Sequence, residues 1–189
     1  REHALSWKLS QSSKVETVFT APGNGGTENN VPIDVNDLDK LSEFAQKNNC
    51  FTVVGPEDPL AAGIVDKFNE LNLRVFGPSQ AAAQLESSKI WAKNFMKRND
   101  IPTARFEIFD DPQKAEDHVK SIDYDVVVKA DGLAAGKGVI VCNNKDEAIS
   151  AIQTILVKKT FGNAGNKIIV EERNPDGGRA AGDCAMGRR

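Results

Sequence analysis

Short apolar runs alternate with amphipathic segments through the first half of the chain. Runs of β-branched and aromatic residues bounded by Gly, Pro or Asn are typical of strands, and apolar residues three or four apart are typical of helices. This alternation predicts an open parallel sheet with helices on its faces, an α/β fold. The predicted elements are a helix at 2–11, a strand at 15–20, a helix at 36–49 capped by Asn36 or Asp37, a strand at 51–54, a helix at 59–71 and a strand at 74–76.

The chain begins on the first helix, so we expect the first strand of this parallel sheet to be missing. The predicted strands end in glycine-containing loops. Because ligands of open α/β sheets lie at the carboxyl ends of the strands, these loops are candidate binding segments. They contain Gly23, Asn24, Gly26 and Thr27 after the strand at 15–20, and Gly55, Pro56 and Glu57 after the strand at 51–54.

The pattern changes after residue 86. Helices are predicted at 80–85 and 87–99, and Ile101-Pro102-Thr103 breaks the second one. We therefore expect an N-terminal domain at 1–86, a helical linker at 87–103 and a small α+β unit at 104–172, with four strands and two helices. The predicted elements of that unit are strands at 105–109, 125–129, 139–142 and 167–171 and helices at 112–121 and 145–157.

A glycine-rich loop between two β-branched runs is the most informative segment of the chain. Lys129 ends the first run, and Gly132, Gly136, Lys137 and Gly138 follow it. Glycine lets backbone N–H groups approach an anion, and lysine supplies positive charge, so the segment predicts a hairpin that covers a polyphosphate. The spacing differs from a Walker loop, which needs four residues between glycine and Gly-Lys and then a Ser or Thr. A long exposed hairpin without a ligand is the alternative.

Bulk properties describe an ordinary globular protein. The chain has 189 residues, 40% of them hydrophobic, and a net charge of −3. The mild negative charge excludes nucleic acid as an expected partner, and we expect no membrane partner. Three scattered cysteines form no zinc spacing, and two of them sit in predicted apolar strands, which fits buried thiols in a reducing cytoplasm.

The last segment, residues 173–189, differs in composition. It is rich in Arg and Gly and contains no Val, Ile, Leu or aromatic residue. Such a segment buries too little apolar area to offset the entropy of ordering, so we expect a disordered tail that is foreign to the rest of the chain.

Several short motifs follow one another along the chain. They are Arg1-Glu2-His3-Ala4-Leu5 with Trp7-Lys8-Leu9, Ala21-Pro22-Gly23-Asn24 with Gly26-Thr27, Val53-Val54-Gly55-Pro56-Glu57, Phe76-Gly77-Pro78, Ser88-Lys89, Ile101-Pro102-Thr103-Ala104 and the stretch 128–141. In this order they resemble the phosphoribosylamine–glycine ligase family, the glycinamide ribonucleotide synthetases of the ATP-grasp superfamily. The resemblance covers residues 1–172, and other ATP-grasp ligases do not share its first three motifs.

The resemblance implies an enzyme that joins glycine to 5-phosphoribosylamine with ATP and Mg²⁺ or Mn²⁺, the second step of purine synthesis. The glycine carboxylate would take the γ-phosphoryl group, and the sugar amine would displace phosphate from this acyl phosphate. A carboxylate needs such activation because its oxygen is a poor leaving group. Catalysis would consist mainly of positioning and charge neutralisation.

The resemblance also implies roles for individual residues. Lys89 and Lys129 would contact the nucleotide phosphates, and the loop of Gly132, Gly136, Lys137 and Gly138 would close over the triphosphate as an ATP-grasp lid. Glu171 and Glu172 would border the adenine, and the loops Gly23–Thr27 and Gly55–Glu57 would face phosphoribosylamine. No catalytic residue and no metal ligand are assigned to this chain.

Plainer interpretations remain open. Lys89 alone is typical of an exposed helix lysine, the Gly23–Thr27 loop of a plain turn, and Glu57 of a helix cap. The family continues after Glu172 with a core that this chain lacks, so we expect the chain alone to be inactive. Another ATP-grasp carboxylate–amine ligase and a non-catalytic truncated product are alternative functions. Whether the parent belongs to a multifunctional purine-synthesis polypeptide stays open, and the expected location is the cytoplasm.

Overall fold

The computed structural model describes residues 1–133 and 137–173. Its contacts divide the chain into two compact units, Arg1–Gln84 and the residues from Leu85 onward. The helices and strands of the first unit are α1 (Glu2–Ser10), α2 (Leu38–Lys47), β1 (Phe51–Val53), α3 (Glu57–Ala61), α4 (Ile64–Glu70), β2 (Arg74–Phe76) and α5 (Gln80–Ser87), which runs into the second unit.

Strands β1 and β2 pair in parallel, with Phe51 opposite Arg74. This parallel pair agrees with the predicted α/β class. Its core consists of Ala45 from α2 and of Ile64, Val65 and Phe68 from α4. Asp37 caps α2, as one of the two predicted caps, because its carboxylate accepts a hydrogen bond from the Lys40 N–H at 3.1 Å.

The prediction of a strand at 15–20 is wrong. Only Thr20 makes a β-bridge there, with Asn30. A strand needs a neighbour that pairs with its backbone groups, and the described residues provide none for this segment. Its apolar side chains instead line a cleft of about 650 Å³ beside β1, where Phe19 packs edge-on against Phe44 with ring centroids 5.3 Å apart.

The single helix predicted at 59–71 is two helices. Gly63 separates α3 from α4 with φ of +90°, in the left-handed region. A residue with a Cβ rarely adopts this conformation, whereas glycine does so without steric cost. The chain therefore turns at Gly63 and starts a new helix, whose apolar face forms the core.

The elements of the second unit are α6 (Lys89–Arg98), β3 (Phe106–Phe109), α7 (Pro112–Ser121), β4 (Val126–Ala130), β5 (Val139–Val141), α8 (Lys145–Ile152) and β6 (Ile168–Glu172), with a π-helical turn at Gln153–Val157 and a 3-10 segment at Gly162–Asn166 after α8. The four strands form an antiparallel sheet in the order β3-β6-β4-β5, accompanied by α7 and α8, as predicted. β4 and β6 each begin and end one residue later than predicted, and the helix predicted at 145–157 is α-helical only to Ile152 before the π-helical turn.

The two faces of this sheet differ in chemistry. One face is apolar and buried under α7 and α8, with Val126, Val128 and Ala130 from β4 and Ile168 and Val170 from β6. Alternation along a strand places the intervening residues on the opposite face. That opposite face contains Lys129 and Glu171, and α6 packs against β6.

The predicted tail lies outside the described residues, except for Arg173. The Arg173 N–H donates to the Asp125 carbonyl at 2.8 Å, and its guanidinium donates to Asn143 Oδ1 at 3.0 Å. Arg173 thus follows β6 directly and is hydrogen-bonded to two other residues of the second unit. The predicted disordered tail at 173–189 stays a prediction. Among the described helices, none is long and apolar enough to cross a membrane.

Substituting Gly63 with Ala tests the break between α3 and α4. A left-handed Ala costs about 1 kcal/mol, and its Cβ would lie 3.3 Å from the Gln80 side chain. We expect Gly63→Ala to lower the free energy of unfolding by at least this amount in urea titrations followed by circular dichroism. Gly25→Ala is the matched control, since a Cβ there meets no atom within 4 Å. Equal stabilities of the two variants would contradict the role of Gly63.

Candidate functional site

The N-terminus of α6 and the start of the glycine-rich loop are joined by Asp131. Its carboxylate accepts hydrogen bonds from the Ile90 N–H and the Ser88 hydroxyl, both at 3.1 Å. Ser88 also caps α6, because its Oγ accepts from the Trp91 N–H at 3.0 Å. An acidic side chain at this end of a helix is favourable, since it satisfies N–H groups that have no partner within the helix. The first residue of α6, Lys89, is thereby placed beside the loop.

Lys89 is half-buried, and its ammonium group donates to the Gly132 carbonyl at 2.9 Å. Burial lowers the pKa of Lys89, the carboxylate of Asp131 opposes this change, and the positive charge of Lys129 adds to it. The plain interpretation of Lys89 as an exposed helix lysine is therefore wrong. The structure brings Lys89 and Lys129, two of the predicted site residues, into one electrostatic cluster.

Lys129 lies on the sheet face opposite the apolar core. Its direct partner on β6 is Ile169, while Glu171 lies opposite Val127. Lys129 and Glu171 are thus diagonal neighbours, a spacing of about 7–8 Å that a long side chain can cross. The Lys129 ammonium group donates to Glu171 Oε2 at 2.9 Å.

A third lysine, Lys93, completes the cluster. Its ammonium group lies 2.9 Å from the same Glu171 Oε2 and donates to the Thr103 hydroxyl at 2.6 Å. It also lies 5.4 Å from the centroid of the Phe106 ring, a favourable cation–π distance. Burial lowers the pKa of Lys93, the carboxylate of Glu171 opposes this change, and Lys129 adds to it.

Glu171 is the buried anion of this cluster, with 3% of its surface exposed. Carboxylates are almost never buried without a partner, and two ammonium groups balance this one. Glu172 alternates to the other side of the strand, where its carboxylate lies 3.6 Å from the guanidinium of Arg105. The adenine contacts that the resemblance implies for Glu171 and Glu172 stay a prediction.

The loop itself is described only at its two ends. Gly132 has φ of +106°, and a Cβ there would lie 3.3 Å from the Ala164 side chain, so the position favours glycine. Gly138 is buried, and its carbonyl accepts a hydrogen bond from the Ala130 N–H at 2.7 Å. Lys137 is exposed, and the predicted phosphate-binding residue Gly136 lies outside the described residues.

An apolar strip lies next to Lys129 on the same sheet face. Lys129 is opposite Val139, and Val127 is opposite Val141. The exposed fractions of Val139 and Val141 are 40% and 51%. A flat apolar group could rest on these valines while an attached anion reaches Lys129.

In the first unit, α1 contacts both loops that the sequence predicts as substrate-binding. A Cβ at Gly26 would lie 2.3 Å from the His3 ring, so glycine permits the close approach of that ring. Within this loop Asn24 Oδ1 accepts from the Gly26 N–H at 2.8 Å, and the Thr27 hydroxyl donates to Asn30 at 2.6 Å. The Gly23–Thr27 loop is thus hydrogen-bonded internally.

The second predicted loop meets the start of α1. Arg1 donates to the Glu57 carboxylate at 2.6 Å, and this hydrogen bond lowers the pKa of Glu57. Gly55 approaches the Glu2 side chain, and Pro56 precedes α3 in an extended conformation. The plain interpretation of Glu57 as an acid in the first turn of a helix is compatible with this geometry.

Lys93 is the residue that sequence reasoning missed. A lysine within an amphipathic helix is usually solvated, so its type gave no warning. One signal was available: Lys93 follows Lys89 by four residues, which places both on one face of α6. That face also contacts β6, where Glu171 is buried.

Family models match both units. Residues 1–86 match the N domain of phosphoribosylglycinamide synthetase, and residues 87–178 match its ATP-grasp (A) domain. The chain belongs to the phosphoribosylglycinamide synthetase family. The second match extends past Glu172 into the segment that composition sets apart.

Individual members of the phosphoribosylglycinamide synthetase family are similar to this chain in sequence. The phosphoribosylamine–glycine ligase of Neisseria meningitidis serogroup B is 54% identical over 176 residues, which cover 91% of this chain and 42% of the relative. The ligase of Rhodopirellula baltica is 49% identical over 183 residues, with 92% and 42% covered. The chain therefore spans about 42% of the length of the curated relatives that it matches.

Solved structures agree in fold. The phosphoribosylamine–glycine ligase of Thermotoga maritima has a TM-score of 0.70 and 29% identity, with 90% of this chain and 41% of that chain covered. The biotin carboxylase domain of Hydrogenobacter thermophilus 2-oxoglutarate carboxylase, solved with Mg-ADP, has a TM-score of 0.63 and 21% identity, with 77% and 34% covered. The second likeness is one of fold alone.

Substituting Glu171 tests the buried cluster. Glu171→Gln leaves two cations without their carboxylate, and breaking such a buried pair costs about 3 kcal/mol. The loss should shrink as the pH rises toward about 9.5. In the variant Lys93 holds its proton less tightly when folded than when unfolded, where its pKa is near 10.5, so the unfolding free energy rises with pH through that window.

Urea titrations at about pH 7 and about pH 9.5 measure this effect. Glu172→Gln is the matched control, because its partner Arg105 is exposed and the pair contributes less than about 1 kcal/mol. A loss for Glu171→Gln that does not depend on pH would contradict an uncompensated buried ammonium group.

Proposed function

We propose that the protein to which this chain belongs joins glycine to 5-phosphoribosylamine with ATP, giving glycinamide ribonucleotide, ADP and phosphate. The glycine carboxylate takes the γ-phosphoryl group to form glycyl phosphate, and the amine then displaces phosphate to form the amide. Relatives in the phosphoribosylglycinamide synthetase family are named phosphoribosylamine–glycine ligases, which supports these two substrates. The proposed location is the cytoplasm.

The observation that carries the proposal is the pairing of lysines with an apolar strip on one sheet face. A nucleotide has a flat apolar base and a polyphosphate. The face offers exposed valines beside Lys129, and Lys89 from α6 is electrostatically coupled to Lys129. Lysine ammonium groups neutralise the charge that phosphoryl transfer moves between oxygens. Lys137 and the glycines at the two ends of the loop lie next in the chain and would cover the triphosphate.

Mg²⁺ or Mn²⁺ would accompany ATP in this reaction and balance the charge of its phosphates. Within residues 1–133 and 137–173, no three His, Cys, Asp or Glu side chains lie close enough to hold a metal ion. We therefore assign the metal no ligand from these residues. The chain's own contribution is to position the nucleotide through Lys89, Lys129 and the backbone of the loop.

In the first unit, the proposed site for phosphoribosylamine is formed by the loops Gly23–Thr27 and Gly55–Glu57. Their contacts with the first turn of α1 support this assignment, because Arg1 and His3 add polar groups beside both loops. Backbone N–H groups of glycine loops and a guanidinium group suit a phosphorylated sugar.

A chimera tests the proposed function. In the N. meningitidis ligase, the segment that matches this chain is replaced by residues 1–172 of this chain. We expect ADP release that requires both glycine and phosphoribosylamine, and none with D-alanine or bicarbonate in place of glycine. Lys129→Met in the chimera should raise the KM for ATP at least about tenfold, because a charged contact to phosphate is lost. Turnover with bicarbonate or D-alanine, but not with glycine, would contradict the proposal.

The 189-residue chain alone should be inactive. We expect no glycine-dependent ADP release, and isothermal titration with Mg·ATP should show no binding or a Kd weaker than about 1 mM, which corresponds to about 4 kcal/mol. The physical reason is that one sheet face can contact only one side of a nucleotide. Substrate-dependent ADP release by this chain would refute the expectation.

A further inference from the structure

Two lysines share one carboxylate oxygen in the second unit. Both Lys93 Nζ and Lys129 Nζ lie 2.9 Å from Glu171 Oε2. One negative charge therefore faces two positive charges, and the group of three carries a net charge of +1. The function proposed above uses Lys129 and leaves Lys93 without a role.

The two lysines are not equivalent. The Lys93 side chain is 7% exposed and has a second fixed partner in Thr103 and a third contact in Phe106. The Lys129 side chain is 23% exposed and donates a hydrogen bond to Glu171. Lys93 is thus confined between α6 and the sheet, whereas Lys129 lies where the face is open toward solvent.

We propose that Lys93 is a positioning residue that neutralises Glu171. The ammonium group of Lys129 can then leave Glu171 and bind an anionic ligand of the polyphosphate class. The inference rests on the proposed function in one respect, the binding of a nucleotide by Lys129. It adds a residue to which neither the family resemblance nor the sequence pattern assigns a role.

The electrostatic reason follows from burial. A carboxylate buried as deeply as Glu171 pays a desolvation cost of several kcal/mol that only a paired cation offsets. If Lys129 were the only partner, a phosphate could bind Lys129 only by leaving this carboxylate unpaired. Because Lys93 remains in place, Glu171 keeps a partner throughout, and the ligand competes for Lys129 at little cost.

The sheet register supports this division of roles. Phe106 lies opposite Glu171 on β3, and Val127 lies opposite it on β4. Glu171 is therefore flanked by apolar neighbours on both strands, and the two lysines reach it from different sides: Lys93 from α6 near Phe106, and Lys129 from β4. Movement of Lys129 toward the open face does not require Lys93 to move.

A purely structural role for Lys93, as a contact that holds α6 on the sheet, is the competing explanation. Loss of a structural contact would lower the amount of folded, active protein and leave the KM of the remaining enzyme unchanged. Loss of a positioning residue would weaken ATP binding specifically. The two explanations therefore differ in the KM for ATP and in rescue by a second cation.

Kinetics of the chimera separate them. We expect Lys93→Met to raise the KM for ATP at least about tenfold, with the KM for glycine unchanged, and Lys93→Arg to restore the KM for ATP to within about threefold, because it keeps the charge. Lys97→Met is the matched control, since Lys97 is an exposed lysine one turn further along α6, with its ammonium group 5.9 Å from the same Phe106 ring. An unchanged KM for ATP in folded Lys93→Met would overturn the inference.

A second measurement uses the 189-residue chain and needs no activity. Side-chain NMR of ¹⁵N-labelled lysines follows the titration of Lys93, identified by the signal that Lys93→Arg removes. Lys129→Met and Lys129→Gln should both raise the pKa of Lys93, because the positive charge of Lys129 lowers that pKa in the unsubstituted chain. Glu171→Gln should lower it. A Lys93 titration that does not respond to loss of Lys129 would show that the two groups are uncoupled and would overturn the inference.

The two measurements distinguish failure of the inference from failure of the proposed function. A chimera that turns over glycine and keeps the same KM for ATP after Lys93→Met contradicts the inference and leaves the proposed function in place. An inactive chimera together with a coupled Lys93 titration contradicts the proposed function, while the coupling of Lys93 and Lys129 through Glu171 is supported.

Discussion

The pairing of β4 with β6 is the constraint on which the second unit depends. Side chains alternate along each strand, so this one register places Val126, Val128 and Ala130 under α7 and α8 and places Lys129 on the opposite face. A shift by one residue would put the lysine and the glutamate into the apolar core and the valines into solvent. Apolar burial therefore specifies the position of the charged groups, although they contribute little to the driving force themselves.

The charged face then solves a problem of its own. A sheet that is buried on one side can carry polar groups on the other, but Glu171 lies beneath α6 and is cut off from water. The solution is a compact group of two ammonium groups, a hydroxyl and an aromatic ring around one carboxylate. Within the described residues, no buried side-chain N or O atom lacks a hydrogen-bond partner. Complete pairing of this kind allows a carboxylate to be buried without an unsatisfied polar group.

The sequence was a good guide where local pattern decides structure. The strand Val126–Ala130 begins with three β-branched residues, and Asp37 supplies the side-chain oxygen that a helix start needs. It was a poor guide at residues 15–20, where the composition suits a strand but no neighbour pairs with it, because pairing is a tertiary property. Gly63, inside the helix predicted at 59–71, was a sequence signal for the break between α3 and α4. Lys93 could not be identified by its type, since its burial depends on Glu171 some distance along the chain.

Asp131 connects three parts of the second unit. Its carboxylate holds the first turn of α6, its N–H donates to the Lys167 carbonyl just before β6, and its own backbone leads into the glycine-rich loop. Displacement of the loop root would therefore pull on the same helix that carries Lys89 and Lys93. A change in the position of Asp131 would therefore shift Lys89 and Lys93 directly, through its hydrogen bonds to the first turn of α6.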